Sequence, residues 1–77
     1  MEYLTERITI SDDLCNGKPT IRGMRITAES ILGYLSAGDS IEDIITAFPI
    51  LEEEDIYACM DFARKLMNRS FVIKPVA

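Results

Sequence analysis

The side chains of this sequence that are capable of chemistry are two thiols, thirteen carboxylates and a short cluster of cations. The thiols are Cys15 and Cys59, and the chain has no histidine. Two thiols without an imidazole make an incomplete zinc site, and the lack of histidine removes the commonest acid–base group. We therefore expect no metal site. Cys59 is interpreted as a core residue and Cys15 as a residue packed beneath a loop.

Adjacent carboxylates suggest acid–base catalysis at two places, Glu42/Asp43 and Glu53/Glu54. Neighbouring residues of a helix point in different directions, however, so neither pair converges on one substrate. The run from Glu52 to Asp55 is interpreted as a solvated face that interacts favourably with the positive end of a helix dipole. We expect no catalytic residue and no enzyme activity.

The cations Lys18, Arg22 and Arg25 lie in a segment without acids. One interpretation is a basic arm that contacts nucleic-acid phosphates or an acidic partner, and it applies more to Lys18 and Arg22 than to Arg25. The other is that these cations pair with the acidic middle of the same chain, or across a dimer. The intervening Gly-Lys-Pro lacks the spacing and the Ser/Thr of a P-loop, so no nucleotide cofactor is expected.

Composition limits what these residues can belong to. The chain has 77 residues, 48% hydrophobic and 27% charged, with a formal net charge of −5. This is enough for one small globular domain, and no apolar run is long enough to span a bilayer. From Ile26 to Ala63 the chain has nine acids and no Lys or Arg. We expect a cytoplasmic binding module with an acidic middle and no membrane association.

The elements that position these groups are predicted from periodicity and caps. Residues 1–26 form a β-arm, with a strand at Arg7–Ile10 and a bent extended piece around Gly23. Residues 27–69 form three helices of roughly 11, 8 and 17 residues, two of them capped by Thr27 and Ser40. The third begins near Glu52, and its apolar stripe comprises Ile56, Cys59, Met60, Ala63, Leu66 and Met67. The predicted fold is a single, mainly α, homeodomain-like helix-turn-helix domain.

Residues 70–77 form a predicted extended tail. Phe71, Val72 and Ile73 are apolar and prone to β-structure, so they are candidates for adding a strand to a partner's sheet. The alternatives are that the tail folds back beside the Arg7–Ile10 strand or exchanges with a second copy. A helical unit this small buries little core, which favours a homodimer.

Three motifs in order carry a family resemblance. Residues 15–26 (CNGKPTIRGMRI) are similar to the pattern C-G-G-K-P-x-I-x-G-T-R-I, and residues 37–44 (AGDSIEDI) to A-G-x-S-x-E-E-I. Residues 48–56 (FPILEEEDI) are similar to Y-P-x-L-T-x-E-D-I. The chain thus resembles, from about Arg7 to Arg64, the small bacterial proteins of the DUF433 family. It departs from the pattern at Asn16, Met24 and Glu52.

The resemblance implies a homeodomain-like, antitoxin-like protein that is paired with a PIN-like nuclease. The function expected from it is a non-enzymatic module that binds such a nuclease, as a homodimer, and represses its own operon as part of the complex. Lys18 and Arg22 are then the expected contacts to the DNA backbone. A stand-alone DNA-binding regulator and a homodimeric interaction adaptor are the alternatives.

Overall fold

The fold was obtained as a computed structural model, which describes residues 1–68. Three strands come first: β1 (Glu2–Tyr3), β2 (Ile8–Ile10) and β3 (Thr20–Ile21), with a 3-10 turn at Cys15–Gly17. Three helices follow: α1 (Ala28–Ser36), α2 (Ile41–Ala47) and α3 (Glu53–Leu66). The predicted fold class, three helices after a short N-terminal β-arm, is confirmed. The tail residues Phe71, Val72 and Ile73 lie outside the described residues.

The β-arm is a three-stranded antiparallel sheet in the order β1-β2-β3. Glu2 is paired with Ile10, and Ile8 with Ile21. The hydroxyls of Thr9 and Thr20 lie 2.8 Å apart and are fully buried, so they satisfy each other between β2 and β3. Strand β1 was not predicted, because two residues are too few to show an alternating pattern.

Side-chain caps fix where the helices begin. The Thr27 hydroxyl accepts a hydrogen bond from the Ser30 backbone N–H at 3.1 Å. Ser40 and Asp43 form a reciprocal capping box, with both hydrogen bonds at 3.0 Å. Both predicted caps are confirmed, while the helices, at 9, 7 and 14 residues, are shorter than expected. Gly38, with φ +102°, lies just beyond the end of α1.

The core lies where the inner face of the sheet meets the three helices. It consists of eight buried side chains: Ile8, Ile21, Ala28, Ile31, Ile44, Leu51, Ile56 and Cys59. The predicted apolar stripe of α3 is correct for Ile56 and Cys59 but wrong for Met60, Leu66 and Met67, which are exposed. Within residues 1–68, no helix combines the length and apolarity needed to cross a bilayer.

The capping box of α2 gives a first test. Ser40→Ala removes the hydroxyl that satisfies the Asp43 N–H, which is expected to lower the free energy of unfolding by about 1 kcal/mol. For a chain of this size the loss corresponds to roughly 4–8 °C in Tm, measured by thermal denaturation. Ser36→Ala is the matched control, because Ser36 bonds only to the Gly33 carbonyl near the end of α1. Equal losses in the two variants would contradict the capping role.

Candidate functional site

A fully buried carboxylate joins the β-arm to the helices. Asp55 lies in the first turn of α3 and has no exposed surface. Its oxygens accept hydrogen bonds from Arg7 Nη1 at 2.9 Å, and from Arg22 Nε at 3.0 Å and Nη2 at 2.8 Å. The Glu52 backbone N–H donates a fourth at 2.8 Å. We call Arg7, Arg22, Glu52 and Asp55 the arginine–carboxylate cluster.

The start of α3 positions the two acids of this cluster. Glu52 is the N-cap residue, and Asp55, three residues later, turns its side chain back to the Glu52 N–H. This is the return half of a capping box. Leu51 and Ile56 on either side of this turn are buried, so the turn packs against the core. Asp55 is buried for the same reason. Glu52 lies nearer the surface, and its Oε1 accepts from Arg7 Nη1 at 2.9 Å.

A strained turn positions Arg22. Arg22 and Gly23 follow β3 with φ values of +47° and +73°, and the Met24 N–H closes the turn on the Ile21 carbonyl at 2.8 Å. A positive φ is unfavourable for a residue with a Cβ such as Arg22. The Arg22 N–H bonds to the Arg7 carbonyl at 2.9 Å, and the Gly23 N–H to the Thr9 hydroxyl at 2.8 Å. These bonds hold the turn so that the guanidinium reaches α3.

The side chain of Met1 lies over Gly23. A Cβ built on Gly23 would be 2.8 Å from the Met1 sulfur, which is at the end of a flexible and exposed side chain, so the positive φ is the stronger requirement for glycine here. The Arg22 guanidinium makes a bidentate pair with Asp55 through its Nε and Nη2. Its Nη2 also donates to the Ile50 carbonyl at 3.2 Å. The guanidinium thus connects the β-arm to the segment between α2 and α3.

The electrostatics of the cluster favour full ionisation. Burial opposes the charge on Asp55, but the hydrogen bonds from Arg22, the Glu52 N–H and Arg7 outweigh it and hold its pKa below the ordinary value of 3.8. The pKa of Arg7 is raised by its hydrogen bonds to Glu52 and Asp55, and that of Arg22 by its hydrogen bonds to Asp55. In the described part of the chain, every buried polar side-chain atom has a hydrogen-bond partner.

The predicted site residues lie in different places. Lys18 Nζ lies 3.1 Å from Glu29 Oε1, and both side chains are exposed. Arg22 belongs to the arginine–carboxylate cluster, and Arg25 is exposed and makes no ion pair with any residue up to Asn68. The structure therefore separates the three cations instead of joining them in one patch.

The thiols are also separated. Cys59 is buried in the core, where burial raises the pKa of its thiol to about 12, and Cys15 is half-buried at the start of the 3-10 turn. Both cysteines are free. Among residues 1–68, no group of three His, Cys, Asp or Glu side chains is close enough to hold a metal ion.

A family model described as a protein of unknown function, DUF433, matches residues 8–63. The chain belongs to the DUF433 family. The matched segment contains Arg22, Glu52 and Asp55, and the resemblance found in the three motifs is confirmed. The family description assigns no activity.

Two proteins resemble this DUF433 chain in sequence or structure. A DUF433 member protein from Anabaena variabilis has a crystal structure that superposes with a TM-score of 0.75 at 26% identity, covering 80% of this chain and 61% of that one. An uncharacterised Sinorhizobium fredii protein, y4eO, is 35% identical over 51 residues, which are 66% of this chain. The match covers 23% of the length of y4eO, so the DUF433 chain spans a minor part of that relative.

The sequence analysis did not predict the arginine–carboxylate cluster of this DUF433 protein. Asp55 was expected on a solvated face and is instead fully buried, whereas Glu53 and Glu54 are exposed as expected. Arg7 was given no role, yet it contacts both acids of the cluster. The signal in the sequence was the position of Asp55, three residues after the N-cap and next to Ile56, where a carboxylate completes a capping box.

The buried carboxylate gives a second test. Asp55→Asn keeps the size of the side chain but removes the charge that two arginines face, and it is expected to destabilise the fold by about 3 kcal/mol. Asp61→Asn is the matched control, since Asp61 also pairs with two cations, Arg64 and Lys65, but at the surface. Its loss should stay below about 1 kcal/mol. Urea denaturation measures both, and similar losses would refute a special role for the buried pair.

The lowered pKa of Asp55 predicts how stability changes with pH. Because the folded protein binds fewer protons at Asp55 than the unfolded chain, this contribution is complete above pH 3.8 and is lost as the pH falls through the folded pKa. The difference in unfolding free energy between the wild type and Asp55→Asn is therefore expected to be constant near neutrality and to shrink below about pH 4. Urea titrations of both proteins across this range measure it. A constant difference down to strong acid would contradict the assignment.

Proposed function

We propose that this DUF433 protein is a non-enzymatic, antitoxin-like module that binds a PIN-like nuclease through the acidic surface around α2. The nuclease class comes from the family resemblance. The observation that carries the proposal is a set of exposed carboxylates that have no cationic partner among residues 1–68, which we call the acidic surface: Asp39, Glu42, Asp43, Glu53 and Glu54.

Among residues 1–68, no cation pairs with the carboxylates of the acidic surface. The chain has no Lys or Arg between Ile26 and Ala63, and Arg7 and Arg22, which lie near α3, are bound by Asp55 and Glu52. The negative potential of α2 and the first turn of α3 is therefore open to an external partner.

Apolar side chains accompany these acids. Glu42 and Glu53 border a shallow depression with Ile41 and Ile45 between α2 and α3. Asp39 and Asp43 border a second depression, which contains Tyr34 and Phe48 with ring centres 5.8 Å apart. Aromatic and aliphatic anchors beside charged groups are typical of protein–protein contacts.

A nuclease is a suitable partner for such a surface on electrostatic grounds. Proteins that cleave nucleic acids contact phosphates through Arg, Lys and polar groups. A protein surface that presents carboxylates beside apolar anchors competes for the same cations and speeds association through opposite charge. Binding of this kind blocks substrate access and needs no catalytic group in the DUF433 protein.

We also propose that the complex of this protein with the nuclease represses the operon. In this proposal DNA is bound by the complex and not by the DUF433 protein alone. In a helix-turn-helix arrangement α3 would enter the major groove, but its first turn presents Glu53 and Glu54 to a polyanion. Lys18 and Arg25 of the β-arm are the more accessible cations: Arg25 is exposed and Lys18 pairs with Glu29 only at the surface, whereas Arg22 is bound to the buried Asp55. A stand-alone DNA-binding regulator would have to overcome the repulsion from α3, so it ranks below the complex.

Charge neutralisation of the acidic surface tests the nuclease proposal. The tagged protein is purified from native cells, co-purifying proteins are identified by mass spectrometry, and the nuclease partner is tested for inhibition of RNA cleavage. The double variant Asp39→Asn/Glu42→Gln is expected to weaken nuclease binding by about tenfold, because the cations of the partner then face two uncharged side chains. Affinity is measured at two salt concentrations, since the wild-type affinity should fall more steeply with salt.

The double variant Glu2→Gln/Glu6→Gln is the matched control, as it removes two exposed carboxylates from the β-arm. It should leave the affinity within about threefold of the wild type. Recovery of no nuclease, or equal weakening by both double variants, would overturn the proposal.

A further inference from the structure

α3, together with the Met67 that follows it, presents a row of exposed side chains whose polar contacts in the described residues lie within α3 itself: the Tyr57 hydroxyl donates to Glu53, and Arg64 pairs with Asp61. Glu53, Tyr57, Met60, Arg64 and Met67 follow one another at alternating spacings of four and three residues, and we call them the outer stripe. Tyr57, Met60 and Met67 are 50%, 37% and 72% exposed. This spacing is that of the seam along which two helices pack in a coiled coil.

The charges along the outer stripe run from acidic to basic. Glu53 lies in the first turn of α3, where the acids are, and Arg64 in the last turn, where Arg64 and Lys65 are. Two such helices side by side in the parallel direction place like charges together. In the antiparallel direction the acidic end of each helix faces the basic end of the other, so the stripe is complementary to itself.

The basic half of the stripe opens onto an apolar depression. Met60, Arg64 and Met67 border it together with Leu32 of α1 and Ala63, and its volume is about 640 Å³. Flexible thioethers fill irregular spaces of this kind well. Methionine, leucine and charges of both signs are typical of a surface that binds another protein. A polyanion such as a nucleic acid would be repelled by Glu53.

We propose that two copies of this chain associate through the outer stripe, with their α3 helices antiparallel and a two-fold axis midway between Tyr57 and Met60. Met60 of one copy then packs on Tyr57 of the other. Arg64 of each copy faces Glu53 of the other, because Glu53 and Arg64 are equally distant from this midpoint along the helix. This inference gives a surface to the expected homodimer. Asp39, Glu42 and Asp43 stay accessible for the proposed nuclease contact.

The acidic balance of the chain supports a second copy on this surface. With a net charge of −5, two copies repel each other through most orientations. Around the C-terminal half of α3 the charge is instead net positive, because Arg64 and Lys65 share the single carboxylate of Asp61, each at 2.9 Å. Association here also buries the exposed methionines, which adds apolar burial to a core of eight side chains.

Sedimentation of the pure full chain across the micromolar to millimolar range tests this inference. The wild type is expected to shift from 8.7 kDa to twice that mass. Arg64→Glu should weaken dimerisation by about tenfold or more, since the introduced carboxylate would face Glu53 of the other copy. The double variant Arg64→Glu/Glu53→Lys should restore it, because the two charges are exchanged. Circular dichroism of each variant shows that the fold is kept.

Lys65→Glu is the matched control for Arg64→Glu. It makes the same charge change beside the same Asp61, at a position outside the outer stripe. It is expected to leave the dimer affinity within about threefold of the wild type. A monomer at every concentration, equal effects of Arg64→Glu and Lys65→Glu, or failure of the double variant to recover would each overturn the proposed pairing.

The assay contains no nuclease, so its outcome is separate from that of the nuclease proposal. Asp39→Asn/Glu42→Gln leaves the outer stripe intact and should dimerise like the wild type. A dimer that fails to bind a nuclease would refute only the proposed function. A monomer that still binds one would refute only the pairing through α3.

Discussion

The architecture of this small protein depends on one buried negative charge. Asp55 has no exposed surface, so the carboxylate requires compensation, and both arginines that supply it come from the β-arm. An unpaired buried carboxylate would be strongly unfavourable, whereas a fully hydrogen-bonded one fixes geometry. The strained backbone of Arg22 and the N-terminal turn of α3 bring these groups together.

The same requirement shapes the surface of the protein. Arg7 and Arg22 are two of the eight cations of the chain, and both are directed inward to the start of α3. The acids around α2 therefore have no compensating charge nearby in the described residues. The cations near α3 are thus used to neutralise Asp55, and the acids around α2 stay uncompensated. The proposed partner contact depends on these uncompensated acids.

Much of the fold follows from local sequence signals. Thr27 and Ser40 predicted two helix starts, and the alternation around Ile8 predicted β2, because caps and periodicity act over a few residues. The arginine–carboxylate cluster did not follow, since Arg7 and Asp55 are 48 residues apart and no local pattern connects them. The exposed Met60 and Met67 were missed for a related reason: apolar residues at helical spacing do not show which side of α3 meets the core.

Sequence separation in the cluster also bears on the order in which the chain assembles. The hydrogen bonds within each helix join residues close in sequence, whereas the arm is tied to α3 across 33 and 48 residues. Closing such long loops costs conformational entropy before the contact forms. The arm is therefore expected to dock after the helices have formed. The arm is held by two sets of contacts, the ion pairs of Asp55 and the burial of Ile8 and Ile21 in the core that they share with the helices. Opening of the arm breaks both, so its amides should exchange with solvent only through openings that also expose part of this core.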